Sequence, residues 1–382
     1  MKKKFKKILK KSLIVLPVLL FLTAYAKIPE EVTLIEGEGA DFGWGLVSRA
    51  STESPGEFET SARLFNLIPI KTVDVSVMPK TYLIPSGEAI GVKIYTDGLL
   101  VVGISDVISE DGKIFYPARD AGIKVGDRIV KVNGEKVLSI DDFSEKINLS
   151  KEKAKICVDR DGNTLELDIY PISSKDSMSY KVGLWVKDST AGIGTLTYYS
   201  PKTGFFGALG HGICDSDTKE LMTVKKGSIN GCDVKCTIKG GNGVTGELSG
   251  DFYGSDIGDI QKNTEHGIFG RVKMIPEGTP LLVASGFEVE KGPAVILCDV
   301  DGGGPSEYEI EITKISHRED GKNMVLKVTD QRLIRKTGGI VQGMSGSPIL
   351  QNGKFVGAVT HVFVNDPTRG YGIFIENMLS EE

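Results

Sequence analysis

From Tyr180 to the C-terminus the chain alternates short apolar, β-branched runs with glycine-rich turns, a period-two pattern that predicts strands rather than helices. Residues 192–199 and 205–209 read as strands leading to His211, and residues 324–329 alternate as a strand that ends at Asp330. A string of strands of this kind suits two β units facing each other, a double β-barrel. Upstream, residues 85–171 form a second compact unit. Within it, residues 121–135 place two turns around an alternating strand, and Asn133-Gly134 is a strong hairpin turn. Residues 27–84 read as an extended linker followed by short strands, with a polar tip at 51–57 open to proteolytic nicking.

Composition sharpens this picture. Forty-seven glycines in 382 residues, with few long helical periodicities, make the chain mainly β. Two folded units after a targeting segment fit that length. Lysines crowd positions 2–11, and an apolar stretch over 12–26 closes in Ala24-Tyr25-Ala26. This is the layout of a signal peptide or membrane anchor over residues 1–26, with the lysines retained inside and the rest of the chain exported. The net charge of −5 conceals that basic start, so the remainder is acidic and has no electrostatic footprint for nucleic acid. The cysteines (157, 214, 232, 236 and 298) are odd in number and irregularly spaced, which implies no disulfide framework. Cys232 and Cys236 have no second pair at finger-like spacing, so neither a metal nor another cofactor is expected.

The candidate chemistry lies in two short runs. Ser345 sits in Gly343-Met344-Ser345-Gly346-Ser347-Pro348, and His211 in Gly207-Ala208-Leu209-Gly210-His211-Gly212. A serine hydroxyl needs an imidazole to take its proton and backbone donors to hold the oxyanion formed in acyl transfer. Glycines around Ser345 allow a bend tight enough to aim the amides of Gly343 and Ser345 at one point. A third group usually orients the imidazole. Asp330, Asp215, Asp256 and Asp259 are candidates between which spacing does not choose. Among the other histidines, His361 ranks second to His211 because it alternates as a strand residue facing core or substrate, ahead of His266 and His317.

Two resemblances add to these readings. The run at 121–135 resembles a PDZ domain, with residues 140–149 as its long helix and Ile90, Gly91, Val92 and Ile94 at its carboxylate-binding loop. The usual Gly-Leu-Gly-Phe element is replaced by Ala89-Ile90-Gly91-Val92, which argues against capture of a free C-terminus and leaves docking of an internal segment open. The runs at 207–215, 328–331 and 337–349 resemble the SpoIVB peptidases (stage IV sporulation protein B). That resemblance implies a PDZ domain at 85–171 followed by a trypsin-like serine peptidase domain at 180–382. It places the nucleophile on Ser345, the general base on His211 and the acidic partner on Asp330. It further implies self-cleavage, with the chain's own N-terminal region as partner, and cleavage of a membrane-bound sporulation regulator between the forespore membranes, which triggers sigma-factor processing. Met344 stands where many trypsin-like enzymes carry an aspartate that pairs with a freshly cut N-terminus, so control is expected through the PDZ unit or the linker. The alternative is a PDZ-bearing signalling protein whose peptidase-like domain binds without cutting.

Overall fold

The computed structural model describes residues 21–22, 25, 28–37, 46–47, 54–64, 67–160, 162–175, 179–216, 218–317 and 321–382. The expected export segment at 1–26 falls almost wholly outside them, and none of the described helices is long and apolar enough to cross a membrane. The short strands expected in the region 27–84 form a small sheet. Ile68–Met78 pairs antiparallel with Gly56–Leu64 and parallel with Glu31–Ile35. Its alternate residues Val73, Val75 and Val77 turn inward onto Ile28, Val32 and Leu34, a core of its own.

Twelve strands form two barrels. The first uses β1 (Ala89–Ile104), β2 (Leu184–Tyr199), β3 (Phe205–Ala208), β4 (Lys226–Ile238), β5 (Glu247–Thr264) and β6 (Gly267–Val272). Its pairings run β1–β4–β5–β6–β3–β2 and return to β1. Ile90, Val92, Ile94, Phe206, Ile229 and Ile268 fill it. The second uses β7 (Gly292–Cys298), β8 (Ser306–Ile315), β9 (Met324–Val328), β10 (Pro348–Gln351), β11 (Lys354–Phe363) and β12 (Asp366–Phe374), closed in the order β7–β8–β9–β12–β11–β10. Closure removes the free edges at which an open sheet would pair with another chain. Mainly β, with a PDZ domain and a double β-barrel, is therefore the observed fold class. All five cysteines are free, and Cys298 is buried in the second barrel.

The PDZ unit is an insertion in the first barrel. Residues 89–95 of β1 and 189–195 of β2 pair inside that barrel. The same strands run on to pair again between residues 100–104 and 184–187, beyond a register shift at Asp188. From there the sheet continues through Arg128–Val132, Ala154–Arg160 and Asn163–Ile169. Helix α1 (Ile140–Ser150) covers it, burying Phe143 and Ile147 on Leu99, Val101, Ile129 and Ile156. Ser139 caps α1 by accepting from the Asp142 amide, and Asn133-Gly134 turns the hairpin with positive φ at both residues, as its sequence predicts.

This arrangement corrects one expectation. Ile90, Gly91, Val92 and Ile94 do not form a peptide-binding loop. They lie in the first half of β1, paired with β2 on one side and β4 on the other. A ligand strand needs a free edge, and here the chain's own strands fill both. The double barrel likewise begins ahead of the expected boundary at 180, because 89–95 belong to its first barrel. Alternation at 90, 92 and 94 suits a PDZ strand and a barrel strand equally, and long-range pairing decides between them.

Gly98 sits where β1 passes between the units, at φ +96°, and an added Cβ would lie 2.4 Å from the Ile129 carbonyl oxygen. Gly98→Ala should therefore lower stability by about 1–3 kcal/mol, read as a shift in the urea midpoint.

Candidate active site

The first barrel delivers the histidine. At the end of β3 the chain passes through two left-handed residues, Leu209 at φ 71° and Gly210 at φ 69°, which turn it out of the strand and bring His211 to the seam between the barrels. A leucine in that conformation is strained, and the Leu209 amide is held by the Thr195 carbonyl at 3.2 Å. The second barrel delivers the serine, on the loop before β10. Gly343 and Gly346, both at φ +98°, bend that loop.

Two groups of the first barrel hold the serine loop in place. Thr195 Oγ1 donates to the Gly343 carbonyl at 2.7 Å, and the Thr195 amide donates to the Ser345 carbonyl at 2.9 Å. The β4–β5 hairpin reaches across the seam: the Gln342 amide donates to the Gly246 carbonyl at 2.8 Å, and the Leu248 amide to the Gln342 carbonyl at 2.9 Å. Met344 between them is fully buried in the second barrel's core. Neither the Gly343 nor the Ser345 amide donates to an acceptor among the described residues, which leaves two adjacent donors unclaimed.

His211, Ser345, Gly343 and His361 line one cavity of about 410 Å³ between the barrels. The Ser345 hydroxyl donates to the Thr360 carbonyl at 2.6 Å. His211 Nδ1 lies 2.8 Å from the Gly212 carbonyl. With its proton on Nδ1 donated there, the ring presents Nε2 as the basic nitrogen. Burial lowers the His211 pKa below its usual 6.5, opposed only in part by the Gly212 carbonyl, so the ring is neutral at neutral pH. The His361 ring lies 4.7 Å from it, centroid to centroid, tilted by 34°. Desolvation of the His361 ring on its cavity side, although the residue is exposed on the other, and the adjacent His211 hold His361 below the ordinary imidazole range.

Asp330 is not brought to His211. It is the N-cap of helix α2 (Gln331–Thr337), accepting from the Arg332 amide at 2.7 Å. Its other oxygen accepts from Arg332 Nη2 at 2.7 Å and from the Glu309 amide at 3.4 Å. Arg332 foremost, then these backbone donors, pull its pKa down to about 2. The physical reason lies in the sequence that follows: a helix closing at left-handed Gly338 starts at once after Asp330 and claims its carboxylate. The other acids are also placed elsewhere. Asp215 pairs with Lys187 and accepts from the Thr218 amide, Asp256 accepts from Asn230, and Asp259 is exposed on β5. Of the remaining histidines, His266 pairs with Glu381 and His317 rests on Phe374. The groups that touch the serine and histidine are instead Thr195, the Gly212 and Thr360 carbonyls and His361. Of these only His361 carried a signal in the sequence, because a backbone carbonyl has no residue type to recognise.

Among the described residues no group of three or more His, Cys, Asp or Glu could hold a metal ion. Asp330→Ala should cost about 1 kcal/mol, the worth of an N-cap, while leaving the reactivity of Ser345 per folded molecule unchanged. Because the folded-state pKa is depressed, that stabilisation is present above the usual carboxylate value of 3.8 and lost as pH falls through about 2. Denaturation of both forms across that range checks it.

Comparison with known proteins agrees with this geometry. A family model described as SpoIVB peptidase S55 matches residues 178–379, more than half the chain, and a PDZ domain model matches 109–156. The first strand of the first barrel lies ahead of the peptidase match. A protein of Agrobacterium fabrum (strain C58 / ATCC 33970) described as putative zinc metalloprotease Atu1380 is 26% identical over 215 residues, covering 54% of this chain and 52% of that protein. The chain thus matches that curated relative over about half of the relative's length.

Proposed function

The chain belongs to the SpoIVB peptidase S55 family, and from that membership and the cavity between its barrels we propose that it is a serine endopeptidase with Ser345 as nucleophile. The observation that carries this reading is that Ser345 and His211, delivered by different barrels, line one cavity beside two unclaimed amides. On substrate binding the Ser345 hydroxyl leaves the Thr360 carbonyl and gives its proton to His211 Nε2 as Oγ attacks the scissile carbonyl. The Gly343 and Ser345 amides hold the resulting oxyanion. The tetrahedral species collapses as His211 returns the proton to the leaving amine, and water repeats the sequence on the acyl-enzyme. The Gly212 carbonyl takes the orienting place of a triad carboxylate.

The finer reading rests on the family resemblance. The substrate is a membrane-anchored sporulation regulator, the protein is exported and held at the membrane surface by its N-terminal segment in the space between the forespore membranes, and cleavage there triggers sigma-factor processing. A protein substrate fits a peptidase that carries a PDZ domain. The exposed Ser54 and Pro55, beside the start of the N-terminal sheet, offer a site for self-cleavage.

Purified full-length chain should release fragments that Ser345→Ala does not. An uncut wild-type chain that also resists a small fluorophosphonate would favour the non-catalytic binding protein. The pH profile of kcat/KM tests the base separately. A general base must be unprotonated, and His211 is depressed, so activity should be full at pH 7 and fall only as pH drops through a midpoint below 6.5. A midpoint above 7 would remove His211 from that role.

A further inference from the structure

The cavity at Ser345 carries no charge, and this bears on what the enzyme cuts. Its walls come from the residues just before the nucleophile, from β11 just after Thr360, and from β2 and the His211 turn. Ile193, Leu209, Ile213, Val341 and Val362 supply apolar surface, and among the described residues no Lys, Arg, Asp or Glu lines it. Ile193, Ile213 and Val362 are only half-buried, so part of their apolar surface stays open to a ligand. Both imidazoles in the wall are held below the ordinary range and are neutral at neutral pH. Thr360, which also lines it, is almost wholly buried, so its hydroxyl adds no ionic partner to the wall.

Resting on the serine peptidase reading, we propose that this cavity is the subsite for the substrate residue whose carbonyl Ser345 attacks, and that it selects an aliphatic or aromatic side chain. A volume of about 410 Å³ admits one such side chain with its flanking backbone. An ammonium or carboxylate entering the same space would leave water without meeting an opposite charge, the most unfavourable transfer a side chain makes. Selection against charge is therefore stronger than selection among apolar residues, where a methylene more or less changes rates only modestly.

The test uses the full chain and peptidyl diphenyl phosphonates that differ only in the residue mimicking the attacked position: leucine, lysine or aspartate. A small fluorophosphonate serves as reference and Ser345→Ala as blank. The leucine probe should label Ser345 about a hundredfold faster than either charged probe. Labelling by the lysine or aspartate probe as fast as by leucine, with the small probe reactive, would overturn the apolar subsite and leave the serine mechanism standing. Failure of the small probe to label wild type would overturn the mechanism and the subsite with it. Ala191→Asp, at an exposed position on the cavity rim, and Ile193→Asp, within it, should each shift the lysine-to-leucine ratio toward lysine by about tenfold. An unchanged ratio in both variants, each folded by circular dichroism, would place the side-chain subsite elsewhere.

Discussion

The site depends on a hydrogen-bonded contact between the barrels at Thr195. Its hydroxyl and amide hold the carbonyls of Gly343 and Ser345, and its own carbonyl holds the Leu209 amide on the approach to His211. One residue of β2 thus fixes both the serine loop and the histidine turn. Thr195 is almost fully buried, so each of these bonds escapes competition from water, and each is worth about 1 kcal/mol net. Their geometric effect is larger than their energy. An added Cβ at Gly346 would lie 2.1 Å from the Thr195 carbonyl oxygen and 2.5 Å from the Leu209 nitrogen, so only glycine lets the barrels approach this closely.

That contact also bears on how the oxyanion loop is ordered. In enzymes with an aspartate before the nucleophile, a buried ion pair to a new N-terminus shapes the loop. Here Met344 fills that position and is packed among the apolar residues of the second barrel. The bends at Gly343 and Gly346 are fixed from outside the barrel, by Thr195 on one side and by the β4–β5 hairpin at Gly246 and Leu248 on the other. Hydrogen bonds between strands replace an ion pair, and they form on folding without any cleavage. The serine itself rests on the Thr360 carbonyl, so the hydroxyl becomes a nucleophile only when it turns toward His211.

Much of this could be read from the residues, and the misreadings have two different origins. The two runs around Ser345 and His211 stood out because glycine and serine in those patterns have few local uses, and the structure places both on one cavity. Asn133-Gly134 identified its turn because such a signal acts over a few residues. Residues 90–94 misled because alternation names a strand without naming its partners, and those partners lie more than ninety residues downstream. Asp330 misled for the opposite reason: its claim on the histidine came from resemblance, while the local signal of a helix starting at Gln331 described where its oxygens are used. Thr195 had no signal at all, since its role is made by a hydroxyl and an amide meeting the serine loop, 148 residues away at Gly343, and a carbonyl meeting the Leu209 amide.

The inserted PDZ unit changes what can control such a site. An appended domain on a flexible linker can move freely, whereas this one is joined by two strands that are hydrogen-bonded to each other on both sides of the junction. Any rotation of the PDZ sheet against the barrel must break or bend pairs near Asp188, where the register already shifts. The strand leaving that junction reaches Gly192 and Ile193 in the cavity wall and then Thr195 at the seam, with no turn in between. The distance from the PDZ sheet to the residue that holds the serine loop is therefore a single unbroken strand. A load on that strand is carried by its backbone, and the region at 27–84, the other place where control was expected, meets the same strand through Ile84, which pairs with Tyr199.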